Sequence, residues 1–345
     1  MAYELIISAF FIGVLATFFT ILSLHILMFK KERTRFQMVL GCIMAVWAVW
    51  NLKDLIITFP SMYTERVLNW ILLIDGWSAL TYTIFVFEAT IPGWTTLRRI
   101  CCLMLPFLFF TLWYAIQPSP LVIKAYVAFL WFYAWIIVII GYVKIKKYLR
   151  YIRNNYSNID NIDVSWLTPV FFFAIVSQLA WLFTSLYATA LTDIVYYLTT
   201  LVMWILVLHY SWNFQPITLP VEETFTPPTA KLAFAMPKDD FMAKIIDQEM
   251  YLNKNLTLNS LADAMHTNRT YLSQYLGTVC QQTFYDFINQ LRIEKKSIPL
   301  MHEHPEYTLE YIAAKSGFSS ISTFRRAFHK FTGKTPSQFT RLPQP

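Results

Sequence analysis

Two short stretches near the C-terminal end carry the side chains best suited to hydrogen-bonding chemistry with an extended partner. Over Arg269–Val279, at 100° per residue, Leu272, Tyr275, Leu276 and Val279 fall on one stripe. Thr270, Ser273 and Gln274 are left facing outward. Over Ser320–Phe331, the stripe is Ile321, Phe324, Ala327, Phe328 and Phe331, with Ser322, Arg326 and His329 opposite and Arg325 beside them. A guanidinium group bonds a guanine edge in bidentate fashion, an amide bonds an adenine edge, and hydroxyls serve bases or phosphates. One such face is ordinary solvated helix surface. Two at repeat spacing in a small region point to a pair of helices that read duplex edges.

Other chemistry is sparse. The chain has no HExxH, GxSxG, GxGxxG or CxxC pattern, which argues against an enzyme and against a bound cofactor or metal. Gly333-Lys334-Thr335 imitates the end of a phosphate-binding loop, but the earlier glycine is missing and Pro336 follows. His302-Glu303-His304 is half a metal site without further ligands at useful spacing and reads as a solvated turn. Three of the four cysteines, Cys42, Cys101 and Cys102, lie in apolar runs and Cys280 in a polar region, which suits reduced thiols.

The outward faces need elements that hold them, and the sequence supplies a degenerate repeat. Thr257-Leu258, Leu261-Ala262 and Met265 recur as Thr308-Leu309, Ile312-Ala313 and Ser316, each 51 positions later. Each threonine can cap a helix by accepting an orphan backbone N–H. Short turns, Thr267-Asn268 and Ser316-Gly317-Phe318, then lead to the second helices. Helix, tight turn and second helix make the helix-turn-helix pattern.

With these residues in place, Leu256 to Arg341 resembles the AraC/XylS family of transcription regulators. The resemblance rests on Leu258-Asn259-Ser260-Leu261-Ala262, Tyr271-Leu272, the run Phe287 to Glu294, Ile312 to Phe318, and above all Ser322 to Phe339. It implies two helix-turn-helix units, joined by a long helix, that read adjacent major-groove segments. It also implies base contacts from Thr270, Ser273, Gln274, Ser320, Ser322, Arg325 and Arg326. Phosphate contacts would come from Thr257, Thr308, Lys330 and Lys334. Two departures stand out. Lys296 and Pro299 replace an alanine and a leucine of the connecting helix; a proline there costs roughly 3 kcal/mol and predicts an early end or a kink. Residues 239–345 hold 12 Lys/Arg against 10 Asp/Glu, so attraction to phosphate must come from clustered charge.

The rest of the chain differs in kind. Over all 345 residues the hydrophobic fraction is 56% and the charged fraction 14%, too apolar for one water-soluble globule. Residues 1–212 contain 14 Lys/Arg and 9 Asp/Glu, half the charge density of the C-terminal region. Seven apolar runs cover about 5–29, 36–59, 67–90, 97–116, 121–143, 166–190 and 193–212, each near the roughly 20 residues that cross a bilayer as helix. The first lacks a basic leader and a cleavage site and is read as a retained span. Alternate loops carry eleven Lys/Arg, among them Lys30, Arg98, Arg99, Lys144 and Arg153. That bias puts the N-terminus outside and the C-terminal domain in the cytoplasm of a bacterial inner membrane. Residues 213–238 hold five prolines and read as an extended linker.

Ionisable residues inside spans suggest function. Lys53, Asp54, Asp75 and Lys124 all fall in the outer half, where they either line an outward-facing pocket or pair internally, Asp75 with Lys53 or Lys124. His25, Glu88 and His209 sit near inner ends. The expectation is an all-α chain: a seven-helix transmembrane bundle over 1–212, the linker 213–238, and a tandem helix-turn-helix DNA-binding domain over 239–345. As a membrane-bound one-component regulator it would engage double-stranded promoter DNA, the lipid bilayer, a small ligand and a second copy of itself. The alternative is a transporter or channel with a cytoplasmic DNA-binding reporter. Against it, no inverted repeat and no paired Gly/Pro interruptions are evident.

Overall fold

A computed structural model describes residues 2–59, 64–187, 190–219 and 236–339. Most of the proline-rich linker, residues 220–235, lies outside them. The described residues are helical throughout, with one isolated β-bridge between Tyr156 and Thr257. They divide into two compact units, 1–147 with 164–219, and 148–163 with 220–345.

The first unit is built from α1 (Ala2–Leu24), α2 (Arg35–Lys53), α3 (Glu65–Gly76), α4 (Ser78–Thr90), α5 (Leu97–Ile116), the long α6 (Pro120–Asn155), α7 (Leu167–Tyr187) and α8 (Ala190–Ser211). Among the described residues, each expected apolar run is mainly helical. The third is broken at Trp77 into α3 and α4. Among the described residues, six stretches are long and apolar enough to cross a membrane: Ile6–Phe29, Arg35–Ile56, Glu65–Thr90, Leu97–Ile116, Pro120–Asn155 and Ile194–Ser211. The sixth expected run, 166–190, is represented among the described residues by the shorter apolar stretch Leu167–Trp181. Several buried polar groups find partners within this unit, while Thr95 Oγ1, Trp166 Nε1 and Trp204 Nε1 are buried without one among the described residues. Trp47 Nε1 donates to Thr81 (3.0 Å), Thr83 meets the Tyr133 hydroxyl (2.7 Å), and Ser177 meets Thr200 (2.9 Å). Glu88, fully buried, accepts from the backbone of Gly93 and Thr95 (both 2.8 Å) and pairs with Arg35 (3.3 Å), so it ties the loop after α4 to the head of α2. His25 stacks on Trp212.

The second unit takes the last turns of α6 from Tyr148 and the loop to Asp163. It adds α9 (Lys238–Asp247), α10 (Leu258–Ala264), α11 (Arg269–Thr278), α12 (Phe284–Arg292), α13 (Ile298–Glu303), α14 (Leu309–Lys315), α15 (Ile321–Thr332) and the single turn α16 (Pro336–Phe339). It has two apolar cores. One gathers Phe241, Ile245, Leu261, Leu272, Tyr275, Leu276, Phe284 and Ile288; the other gathers Ile293, Met301, Ile312, Phe318, Phe324 and Phe328. The connecting helix crosses from one core to the other.

That helix does not end early. A π-helical turn, Ile293–Ser297, joins α12 to α13, and Pro299 sits in the first turn of α13. The wide turn absorbs the proline: the Ile298 N–H bonds the Ile293 carbonyl, and Ser297 Oγ donates to the Arg292 carbonyl (2.9 Å). Of the two expected outcomes, the distortion is present and the early stop is not, because the helix runs on to Glu303.

Candidate nucleic-acid interface

Both helix-turn-helix units are made by the same local rules. Thr257 caps α10 and Thr308 caps α14, their hydroxyls accepting from Ser260 N (3.2 Å) and Tyr311 N (3.3 Å). Each first helix ends with a residue in the left-handed region, His266 (φ 54°) and Gly317 (φ 82°), which are 51 positions apart. In each, the next N–H reaches back to close the turn, Thr267 to the Ala262 carbonyl (2.9 Å) and Phe318 to the Ala313 carbonyl (3.0 Å). This is a Schellman closure. The second helices are capped by Asn268, accepting from Tyr271 N (2.9 Å), and by Ser320, accepting from Thr323 N (3.2 Å). The offset has become 52, so the second turn is one residue longer. At that offset Thr270 matches Ser322, Ser273 matches Arg325, and Gln274 matches Arg326.

On α15, Phe324, Ala327 and Phe328 are buried while Ser322, Arg325, Arg326 and His329 are exposed, as the stripe requires. On α11, Leu272, Tyr275 and Leu276 are buried, Thr270 is exposed, and Ser273 and Gln274 are half-buried. Val279 departs from the expected buried stripe. It is 40% exposed because it forms the C-cap, where the helix has already ended.

Several expected contact residues already have work within the fold. The Thr257, Thr308 and Ser320 hydroxyls are spent on caps. Lys330 pairs with Asp286 (2.6 Å), and Lys334 is exposed on the turn after α15. His304 meets Glu306 (3.1 Å) and stacks on Tyr307, and among the described residues no cluster of His, Cys, Asp or Glu could hold a metal. In the first unit Lys53 bridges Asp54 and Asp75, with the Asp75 contact at 2.6 Å. Lys124 is exposed in the first turns of α6.

Sequence reasoning missed a second layer. Residues 155–160 lie against the second helices of both motifs. Arg269, the first residue of α11, donates from Nε to Asn155 Oδ1 (2.7 Å) and covers the Tyr151 ring. Asp160 accepts from Ser319 Oγ (2.5 Å) and from Thr323 Oγ1, with Arg326 at 4.0 Å. Between these two contacts the Ser157 N–H donates to the Leu256 carbonyl (3.1 Å), and the buried Arg292 guanidinium bonds the Ser157 carbonyl and hydroxyl (both 3.2 Å). Burial pulls Arg292 down to about 10, still protonated at neutral pH. Burial also pushes the Tyr285 hydroxyl up to about 12; Arg326 opposes this, and Asp160, Asp163 and Asp286 add to it. The one clue in the sequence was two aspartates, Asp160 and Asp163, in a loop whose flank is otherwise basic.

The geometry defines a tandem helix-turn-helix module, and comparison with known proteins agrees. Residues 261–342 match the helix-turn-helix domain family, and the C-terminal region is an AraC-type helix-turn-helix domain. An HTH-type transcriptional regulator of Staphylococcus aureus strain COL is 30% identical over 102 residues, 29% of this chain and 13% of that protein. The Msm operon regulatory protein of Streptococcus mutans is 28% identical over 87 residues, 25% of this chain and 31% of that protein. The chain thus spans less than a third of the length of either relative. No solved structure matches it.

Proposed function

We propose that this chain is a membrane-bound one-component transcription regulator. Its apolar bundle lies in the inner membrane of a bacterium with the N-terminus outside, and its C-terminal domain binds promoter DNA from the cytoplasm. The observation that carries this reading is the pair of matching helix-turn-helix units, each presenting a polar face, on a chain that also holds membrane-length helices. Exposed apolar side chains such as Phe132 (72%) and Leu105 (61%) suit a lipid surrounding. Thr270, Ser273 and Gln274 on α11, and Ser320, Ser322, Arg325 and Arg326 on α15, are the base-contacting set. Lys334, Lys330 released from Asp286, and the cap threonines are the phosphate-contacting set. The Lys53, Asp54 and Asp75 cluster, together with Lys124, is the proposed place for a polar ligand. A second copy on a neighbouring half-site would add avidity.

Recovery of cross-linked DNA from cells expressing the full chain tests the reading: one enriched promoter motif is expected, and none would overturn it. A chain that enriches no DNA yet takes up labelled solute into vesicles would be a transporter. Two substitutions then assign roles. Arg326→Ala is expected to weaken specific binding by about 1–3 kcal/mol and to relax choice at one base pair. Equal loss on specific and random duplexes would make it a phosphate contact. Lys334→Ala should weaken all sequences alike and lower the slope of log K against log salt by about 1. An unchanged slope would remove Lys334 from the interface.

A further inference from the structure

Residues 155–160, the last residue of α6 and the first part of its link to α7, fold as part of the DNA-reading unit. Their contacts divide into an anchor and an arm.

The anchor is Ser157. It is buried, its N–H and hydroxyl both donate to the Leu256 carbonyl (3.1 and 2.8 Å), and its carbonyl and hydroxyl oxygens accept from Arg292. Arg292 is 1% exposed and is further held by the Tyr251 and Asn253 carbonyls and Asn289 Oδ1. Pulling Ser157 away would strip partners from a buried cation, so this contact persists.

The arm is Asp160, three residues on and half-buried, with its N–H bonded to Asn158 Oδ1 (3.1 Å). Its carboxylate takes both hydroxyls at the head of α15, Ser319 and Thr323, and faces Arg326, which also donates to Thr323 Oγ1 (3.1 Å). Two hydroxyls at the start of a twelve-residue helix form a donor pair for one oxyanion. A duplex docking its backbone against the head of α15 would offer a phosphate to the same donors.

Resting on the DNA-binding reading above, we infer that Asp160 is a built-in competitor: it occupies the place of a DNA phosphate at the head of α15 and holds the reader closed until that arm lifts. The anchor at Ser157 keeps the arm within reach, so the exchange is intramolecular and fast to reverse. Because only residues 161–166 separate the arm from α7, a rearrangement of the α6–α7 pair has a covalent route to the reading helix besides residues 220–235. The contact at Asn155 and Arg269 gives the same segment a hold on α11.

The test uses the full chain in nanodiscs with one fluorescein-labelled 30-base-pair duplex of arbitrary sequence. Asp160→Asn keeps the shape but removes the charge, and should tighten binding at least about fivefold. Asp263→Asn makes the same change of net charge on the exposed face of α10 and should move affinity far less. Hydrogen exchange supplies a second readout: saturating wild-type protein with the duplex should speed exchange of the Asp160 amide while the Ser157 amide stays protected. If Asp160→Asn and Asp263→Asn tighten binding equally, or the Asp160 amide is unmoved by DNA, the competitor role falls while DNA binding stands. If neither wild type nor Asp160→Asn binds the duplex, the DNA-binding reading falls and takes this one with it.

Discussion

Arg292→Ala is expected to destabilise the C-terminal unit by about 3 kcal/mol. The guanidinium makes five hydrogen bonds: to Tyr251 O (2.7 Å), Asn253 O (2.9 Å), Asn289 Oδ1 (3.1 Å), and Ser157 O and Oγ (both 3.2 Å). None of these partners is a carboxylate, so the charge is held by oriented dipoles. It also lies over the Phe318 ring, 5.5 Å from its centroid. One side chain thus joins the loop before α10, the connecting helix, the second turn and the segment after α6. Truncation leaves several buried acceptors without donors, at about 1–3 kcal/mol each, and opens a cavity in their midst. Against that stands relief from desolvating a cation and whatever water enters, which keeps the net loss near the stated figure. Arg292→Lys should recover only part of the loss, since one ammonium cannot span the Tyr251, Asn253 and Ser157 acceptors as a planar fork does. Native-state hydrogen exchange of the α10 and α12 amides in the full chain measures this. A loss under about 1 kcal/mol would mean that water satisfies these acceptors equally well.

What was legible in the sequence was local. The caps at Thr257 and Thr308 and the apolar stripes of α11 and α15 follow from side-chain chemistry and a 3.6-residue period, and each is visible within a dozen residues; the other two caps, Asn268 and Ser320, fit the sequence pattern instead as a turn residue and a helix residue. Helix ends were less legible: Val279 fits the period but stands where the helix has stopped. Pro299 signalled a distortion without saying which kind, because a π-helical turn and a break both accommodate a missing N–H. The charged group in the apolar unit was half legible. Lys53 and Asp54 are neighbours in sequence, but Asp75 reaches them only through the packing of α3 near the end of α2, and nothing in the chain separates its approach to Lys53 from an approach to Lys124. The role of the 155–160 segment was not legible. Two aspartates beside a basic stretch were the one clue, and Asp160 and Thr323 are 163 positions apart. Their meeting depends on a loop of one module being folded into another, which no local pattern records.

Gly317→Ala is expected to cost about 3 kcal/mol and to loosen α15 against the rest of its unit, whereas Gly333→Ala should cost only about 1 kcal/mol. Both glycines adopt left-handed backbone, φ 82° and 72°. For an L-residue that conformation alone costs roughly 1–2 kcal/mol. Their surroundings separate them. A Cβ on Gly333 would meet nothing within 4 Å, but one on Gly317 would stand 2.5 Å from the Leu252 carbonyl oxygen and 2.9 Å from two further backbone atoms of Leu252. Backbone cannot swing aside as a side chain does, so the second turn would have to move off residues 251–253, the stretch that also receives Arg292. His266 at the equivalent turn of the first motif shows that the left-handed geometry itself tolerates a side chain. What the second turn requires is therefore the close approach, and that approach fixes α15 relative to the connecting helix. Exchange of the α14 and α15 amides measures the two losses, and equal losses would show that Leu252 yields freely. On the proposed reading, in which α11 and α15 meet neighbouring stretches of one duplex, Gly317→Ala should also weaken binding to the motif more than binding to arbitrary duplex. A parallel fall on both would place the effect in phosphate contacts instead.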